Sequence, residues 1–213
     1  YRKTQLSDKD RKWAVPGNAI DVFSVENLGK IGLLIGEDVL FPEAAGVLTV
    51  KRADIICIPS AWNGQYSGYM EINKKVSGNP YPDGSVVLWD AVAMGSEAYT
   101  LVANYVGTRN NYLGRSSLFT IDPIYQLDQP VVAGENTEEN LVVNFQTLQN
   151  DWWINQEMLI LSRRTDYYMD LVQKFDVTAP RTSLYPLNND LYGFLAALAI
   201  CSVVAARNRK RRL

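Results

Sequence analysis

Short apolar runs, separated by glycine, proline, asparagine or aspartate, divide most of the chain into alternating segments. Runs rich in β-branched and aromatic residues with turn residues on both sides predict strands. The predicted strands are Ala19–Val25, Ile31–Ile35, Ile55–Pro59, Tyr99–Val106, Ser117–Ile121 and Asn140–Phe145, and the predicted helices are Pro42–Lys51 and Ser85–Ala98. The polar segment Ser67–Gly84, which is rich in glycine and proline, predicts a loop. The strand–helix–strand order predicts a fold in which helices pack on a sheet.

The C-terminal pattern is different. Leu191–Ala206 carries no charge and runs directly into the basic cluster Arg207–Arg212. As a helix it would span about 24 Å, against the roughly 30 Å of a bilayer core. With snorkelling basic residues at its end we expect a C-terminal apolar helix that anchors the chain in a membrane. The positive-inside tendency then places the basic cluster in the cytoplasm and the body outside it.

Two alternatives for this tail stay open. The apolar helix could pack in the core of a homo-oligomer, which would leave a cytoplasmic protein, or the tail could be a processed surface-sorting signal. In each case the body occupies residues 1–175, a linker follows over 176–190, and 191–213 form the apolar segment and basic tail.

Composition excludes several classes of function. The chain has 213 residues, 47% of them hydrophobic, so it can bury a substantial core. A net charge of -2 gives no reason to expect a nucleic-acid partner. There is no histidine, and the two cysteines, Cys57 and Cys201, lie far apart in sequence, so we expect no metal site and no cofactor. Cys57 stands in the apolar run IICI and is expected to be a small buried hydrophobe rather than half of a disulfide.

The most informative motif is KIGLLIGEDVLFPE over residues 30–43, a buried strand, a turn at Gly36 and a helix entered through Phe41-Pro42-Glu43. It resembles the nucleophile segment of the nitrilase superfamily of carbon-nitrogen hydrolases, in which a cysteine occupies the position of Gly36. Further segments resemble that family in the same order along the chain: the lysine motif 1–6, Pro16-Gly17, the 53–62 stretch ADIICIPSAW, 98–107, Gly114 to Ser117 with Asp122-Pro123, and 163–168.

The resemblance implies roles for particular residues. Family members attack an amide or nitrile carbon with a thiolate, move protons with a glutamate and stabilise the oxyanion with a lysine. Lys3 would be that lysine, and Gly36 marks the missing nucleophile. Glu37, Trp62 and Asn63 would line the substrate site. The family's general-base glutamate precedes the lysine motif and is not in this sequence. A second family glutamate has only Asp8 and Asp10 as counterparts.

The same resemblance implies the architecture and the function. The fold would be α+β, an incomplete α-β-β-α sandwich of the nitrilase type over residues 1–175, with the apolar helix C-terminal to it. Glycine offers no nucleophile, and Glu37 and Asp38 cannot replace it, since carboxylates attack amides poorly. Three hypotheses follow: an inactive, membrane-anchored domain that binds a small amide or nitrile; an amidase or nitrilase whose cysteine has been substituted; or a scaffold subunit of a membrane complex.

Overall fold

The computed structural model describes residues 1–63, 72, 81–121, 129–145 and 156–172. Within these residues, six strands form one mixed sheet. They lie side by side in chain order. The strands are β1 Val22–Val25, β2 Gly29–Leu33, β3 Ile55–Ser60, β4 Tyr99–Asn104, β5 Ser117–Phe119 and β6 Val131–Val132. The central strands β2, β3 and β4 are parallel, and the outer pairs are antiparallel.

Two helices connect the parallel strands. Helix α1, Pro42–Val50, joins β2 to β3, and helix α2, Val87–Ser96, joins β3 to β4. Pro42 starts α1 because proline lacks the N–H that a first helical turn leaves unpaired. Glu97 ends α2 in the left-handed conformation, with φ +48°. Helix α3, Gln156–Ser162, follows later in the chain.

The main core lies between one face of the sheet and these connecting helices. Leu48 of α1 and Trp89 of α2 are fully buried in one cluster with Ile56 and Ile58 of β3. Gly32 lets α1 approach β2, since a Cβ there would come within 2.8 Å of the Leu48 side chain. The strand–helix–strand pattern therefore fixes the carboxyl ends of β2, β3 and β4 side by side.

The opposite face of the sheet is also apolar. Ile55, Tyr99 and Ile121 form a second buried cluster there, and the Phe145 ring packs on Tyr99 with ring centroids 4.5 Å apart. Cys57 is a free thiol that packs against this cluster, and burial raises its pKa. Its environment is that of a small hydrophobe. Cys201 lies outside the described residues.

The predicted elements agree with the structure for both helices and for five strands, with ends displaced by a few residues. The strand predicted at Asn140–Phe145 is wrong. Its side chains alternate in exposure as a strand's would, but it forms no ladder with a described strand, and Val142 is 89% exposed. Strand β6 and helix α3 were not predicted. Most of the predicted loop at Ser67–Gly84 lies outside the described residues.

The chain divides into two units, Tyr1–Arg163 and Arg164–Leu213. The described part of the second unit consists of two 3₁₀ turns, Thr165–Tyr167 and Met169–Leu171. Arg164 pairs with Asp166 at 2.7 Å and lies over the Tyr167 ring. The predicted linker at 176–190 and tail at 191–213 lie outside the described residues, so the three-part division stays a prediction.

The predicted membrane-anchored location needs correction. Within the described residues, no helix is both long enough and apolar enough to cross a membrane. The longest of these helices, α2, has ten residues and rises about 15 Å, half the thickness of a bilayer core. The finding contradicts a membrane-anchored location for the chain. The apolar segment Leu191–Ala206, from which the prediction came, is outside the described part.

Asp90 on α2 gives a testable electrostatic consequence of this packing. Burial raises its pKa to about 6, and a hydrogen bond with Tyr81 offsets this only in part. As pH rises, the unfolded chain releases this proton first, so stability falls between pH 3.8 and about 6 and stays lower above. We expect Asp90→Asn to gain about 2 kcal/mol of unfolding free energy at pH 7, measured by urea denaturation.

The control for Asp90 is Asp8→Asn, because Asp8 is exposed. That substitution should change the unfolding free energy by no more than about 0.5 kcal/mol. Equal effects of both substitutions at pH 7, or a wild-type stability that does not fall between pH 4 and 6, would contradict the assignment of a buried, destabilising carboxylate to Asp90.

Candidate active site

Three parts of the chain meet at the carboxyl ends of the parallel strands. Strand β2 leads into a 3₁₀ turn over Gly36–Leu40, β3 leads to Trp62, and the N-terminal segment brings Lys3 to the same place. Crevices at the carboxyl ends of parallel strands are the usual ligand sites of open α/β sheets. The geometry at this edge is therefore the candidate site.

Gly36 stands where the strand turns into the 3₁₀ segment, with φ +51°. Glycine adopts this left-handed conformation without the steric cost that a Cβ imposes. A Cβ built at Gly36 would lie 3.8 Å from Lys3 Nζ and 4.0 Å from Trp62 Nε1. The position thus leaves room for a side chain, and two N–H groups border that room.

Lys3 lies between two carboxylates. Its Nζ donates to Asp10 Oδ2 at 2.5 Å and also donates to Glu37 Oε2. Partial burial alone would lower the pKa of Lys3, but the hydrogen bonds to Asp10 and Glu37 outweigh burial and raise it. The bond from Lys3 lowers the pKa of Asp10. An ammonium with three N–H donors still has one to offer a ligand after these two bonds.

Asp38 joins the N-terminal segment to the Gly36 turn. The carboxylate is fully buried and accepts five hydrogen bonds. The donors are the Tyr1 hydroxyl, the Thr4 hydroxyl and the backbone N–H groups of Thr4, Gln5 and Ile35. Burial raises the pKa of the Tyr1 phenol, which therefore stays a donor. Asp38 thus ties residues on both sides of Lys3 to the strand end, Tyr1 through its hydroxyl and Thr4 and Gln5 through their backbone N–H groups, and so positions the Lys3 ammonium.

Trp62 forms the buried floor of the candidate site. Its side chain is 2% exposed and its ring lies 5.3 Å from that of Trp89, centroid to centroid. Asn104, at the end of β4, accepts from the Trp62 backbone N–H at 2.8 Å and donates back to the Trp62 carbonyl. Asn63 follows Trp62, is half-buried and forms a single β-bridge with Tyr112.

The described residues hold no group of three or more histidine, cysteine, aspartate or glutamate side chains arranged to bind a metal ion. The charged groups at Gly36 instead pair with one another or with backbone donors. The arrangement places hydrogen-bond donors and acceptors beside the buried Trp62 ring.

The sequence profile of the carbon-nitrogen hydrolase family matches residues 1–147. The chain belongs to this family. A probable nitrilase of Schizosaccharomyces pombe is 34% identical over 67 residues, which are 32% of this chain and 24% of the yeast protein. The nitrilase resemblance of the motifs is thereby confirmed.

Solved structures share the fold. The NitN amidase from Nesterenkonia sp. AN1 has a TM-score of 0.56 at 21% identity, covering 81% of this chain and 57% of that enzyme. A cysteine-to-alanine mutant of that amidase in complex with butyramide has a TM-score of 0.55 at 21% identity, covering 80% of this chain and 55% of the mutant. The chain thus spans about a quarter of the curated nitrilase and somewhat over half of the amidase. A mixed α/β fold of the nitrilase type is shown for the described sheet and helices.

The structure brings together four of the residues that the family resemblance singled out and adds two more. Lys3, Gly36 and Glu37 are neighbours, and Trp62 reaches the same space. Asp38 and Asn104 position them and were not assigned to the site from sequence. Of the candidates Asp8 and Asp10, Asp10 is the one that pairs with Lys3. Asn104, within a predicted strand, and the acidic pair Asp8 and Asp10 can be recognised in the sequence. No local pattern predicts which groups these side chains contact.

Proposed function

We propose that this carbon-nitrogen hydrolase domain binds a small amide or nitrile and does not hydrolyse it. The observation that carries the proposal is Gly36, which stands at the strand end beside Lys3 and supplies no nucleophile. Loss of a covalent nucleophile costs acyl-transfer enzymes on the order of a million-fold in rate. Binding groups survive such a loss, because they act on the ligand independently of the attacking atom.

The neighbouring charges support a retained binding site. Lys3 is held by Asp10 and Glu37, and its segment is held by the buried Asp38. The raised pKa of Lys3 and the lowered pKa of Asp10 keep this pair ionised at neutral pH. An ammonium fixed beside an open space is suited to donate to a carbonyl oxygen or nitrile nitrogen.

The amidase complex offers an analogy for binding without turnover. The Nesterenkonia amidase in which a cysteine is replaced by alanine was solved in complex with butyramide. This chain carries glycine at the position where its family carries cysteine, so the same kind of non-covalent complex is the expected state. Butyramide and butyronitrile are therefore suitable probes.

The test is binding of these two probes, measured by ligand-observed NMR with wild type and Lys3→Met. Removing a charged hydrogen-bond donor should weaken binding at least tenfold. Lys51→Met is the matched control, because Lys51 also pairs with a carboxylate, that of Asp21, outside the site. The proposal fails if neither probe binds the wild type, or if the two lysine variants bind equally well.

A further inference from the structure

Glu37 differs from the other charged groups of the site in its exposure. Its side chain is 31% exposed, whereas Lys3 and Asp10 are 14% and 19% exposed. Oε2 accepts from Lys3, while Oε1 takes no hydrogen bond from a described residue. Glu37, the residue next to Gly36, therefore keeps one carboxylate oxygen that no described residue occupies, on a side chain that solvent reaches.

Among the described residues that meet at Gly36, carboxylates outnumber ammonium groups. One ammonium, that of Lys3, faces the carboxylates of Asp10 and Glu37. The next residue, Asp38, is also a carboxylate, and its partners are hydroxyl and backbone N–H groups, which bring no positive charge. A ligand carboxylate that approached Oε1 of Glu37 would meet a like charge, which repels it at short range. An uncharged ligand meets no such repulsion.

Hydrogen-bond complementarity narrows the ligand further. A primary carboxamide has a carbonyl oxygen that accepts and an NH₂ group that donates. The remaining N–H of Lys3 can donate to the carbonyl oxygen, and Oε1 of Glu37 can accept from the NH₂ group. A nitrile and an ester carry no N–H and leave Oε1 without a donor. A carboxylic acid, ionised near neutral pH, has acceptors only.

We propose that Glu37 is the specificity-determining residue of this site, which selects primary carboxamides over the matching carboxylic acids and nitriles. The inference rests on the proposed binding function and refines it. Glu37 accepts an N–H of the amide through Oε1 and repels a carboxylate through its charge. The Glu37 carboxylate also accepts a hydrogen bond from Lys3 through Oε2. Glu37 therefore positions the ammonium that would bind the carbonyl oxygen, while its Oε1 would bind the NH₂ group.

The experiment compares three probes with one carbon skeleton: butyramide, butyrate and butyronitrile. Their affinities for the full chain are measured by ligand-observed NMR at pH 7. We expect wild type to bind butyramide at least tenfold more tightly than either of the others. Glu37→Gln keeps the size of the side chain and removes its charge, so it should reduce the preference over butyrate about tenfold.

Two further variants make the result specific. Glu157→Gln is the matched control, since Glu157 is also ion-paired, to Arg52, and lies outside the site; it should leave the preference unchanged. Glu37→Asp keeps the charge but shortens the reach. It should keep the rejection of butyrate and lose part of the preference over butyronitrile, and it replaces Glu37→Gln if that variant does not fold.

The outcomes separate this inference from the proposed function. If Lys3→Met weakens binding but Glu37→Gln leaves all three affinities in their wild-type ratio, the inference is wrong and the binding function stands. If Glu37→Gln weakens all three probes equally, Glu37 only supports Lys3, and the inference is again wrong. If no probe binds wild type, both fail.

Discussion

Replacing Gly36 by cysteine is expected to create a thiol that reacts with iodoacetamide about tenfold faster at pH 7 than an ordinary exposed cysteine. The Cβ would lie 3.8 Å from Lys3 Nζ, whereas no carboxylate oxygen of Asp10 or Asp38 lies within 4 Å of it. The ammonium is therefore the nearer charge and stabilises a thiolate at this position. An ordinary thiol is only a few per cent thiolate at pH 7, so a pKa lowered by about one unit gives the tenfold gain. The rate is measured by mass spectrometry of the alkylated peptide.

The controls use positions that the structure distinguishes. Gly46 on α1 has open space where a Cβ would stand, so Gly46→Cys supplies a thiol without a neighbouring lysine. Cys57, present in every variant, is half-buried and should react slowly. Adding Lys3→Met to Gly36→Cys should remove the acceleration. Equal alkylation rates at residues 36 and 46, or a fast rate at residue 36 that persists without Lys3, would show that Lys3 does not lower the pKa of a thiol at residue 36.

The positive φ of Gly36 adds a stability cost to the same variant. A side chain in the left-handed conformation costs about 1–2 kcal/mol. Gly36→Cys is therefore expected to unfold at lower urea concentration than Gly46→Cys. This cost does not reduce the alkylation rate of the folded protein, because the reaction is measured where both variants remain folded.

Replacing Asp38 by alanine is expected to lower the unfolding free energy by roughly 2–4 kcal/mol, measured by urea denaturation. The substitution leaves donors of Tyr1, Thr4 and Gln5 without their acceptor in a buried region. Each buried donor left unsatisfied costs about 1–3 kcal/mol unless water or a rearranged chain takes its place. The N-terminal segment that carries Lys3 should detach first.

Asp21→Ala is the matched control, because Asp21 is exposed and pairs with Lys51 at the surface. Exposed pairs contribute at most about 1 kcal/mol, so this variant should remain close to wild type. Asp38→Ala should also lose butyramide binding, whereas Asp21→Ala should keep it. If both variants lose the same stability and both still bind, Asp38 does not organise the site.

Local sequence patterns were sufficient to predict the parallel core of the fold. The apolar runs at Ile31, Ile55 and Tyr99 fill both faces of central strands, and the segments between them bury one face of a helix. The pattern at Asn140–Phe145 has the same alternation. Strand formation also needs a partner edge, and no local pattern reports whether one is available.

The candidate site, like the fold, was predictable only where the signal is local in sequence. The motif around Gly36 located the turn, and the lysine motif located Lys3. The contact between Lys3 and Glu37 joins residues 34 positions apart, and periodicity does not fix such a distance. The sequence left Asp8 and Asp10 as equal candidates. The structure selects Asp10, because the Ser7 backbone N–H donates to its carboxylate at 3.1 Å and orients it towards Lys3.

The most direct test of the account is ammonia release from butyramide and butyronitrile at concentrations that saturate the wild-type chain. A domain that binds without a nucleophile should release no more ammonia than a heat-denatured sample, while ligand-observed NMR on the same solution shows the butyramide bound. Ammonia formed clearly faster than in the denatured sample, and lost in Lys3→Met but not in Lys51→Met, would contradict the claim that Gly36 leaves this site without hydrolytic activity.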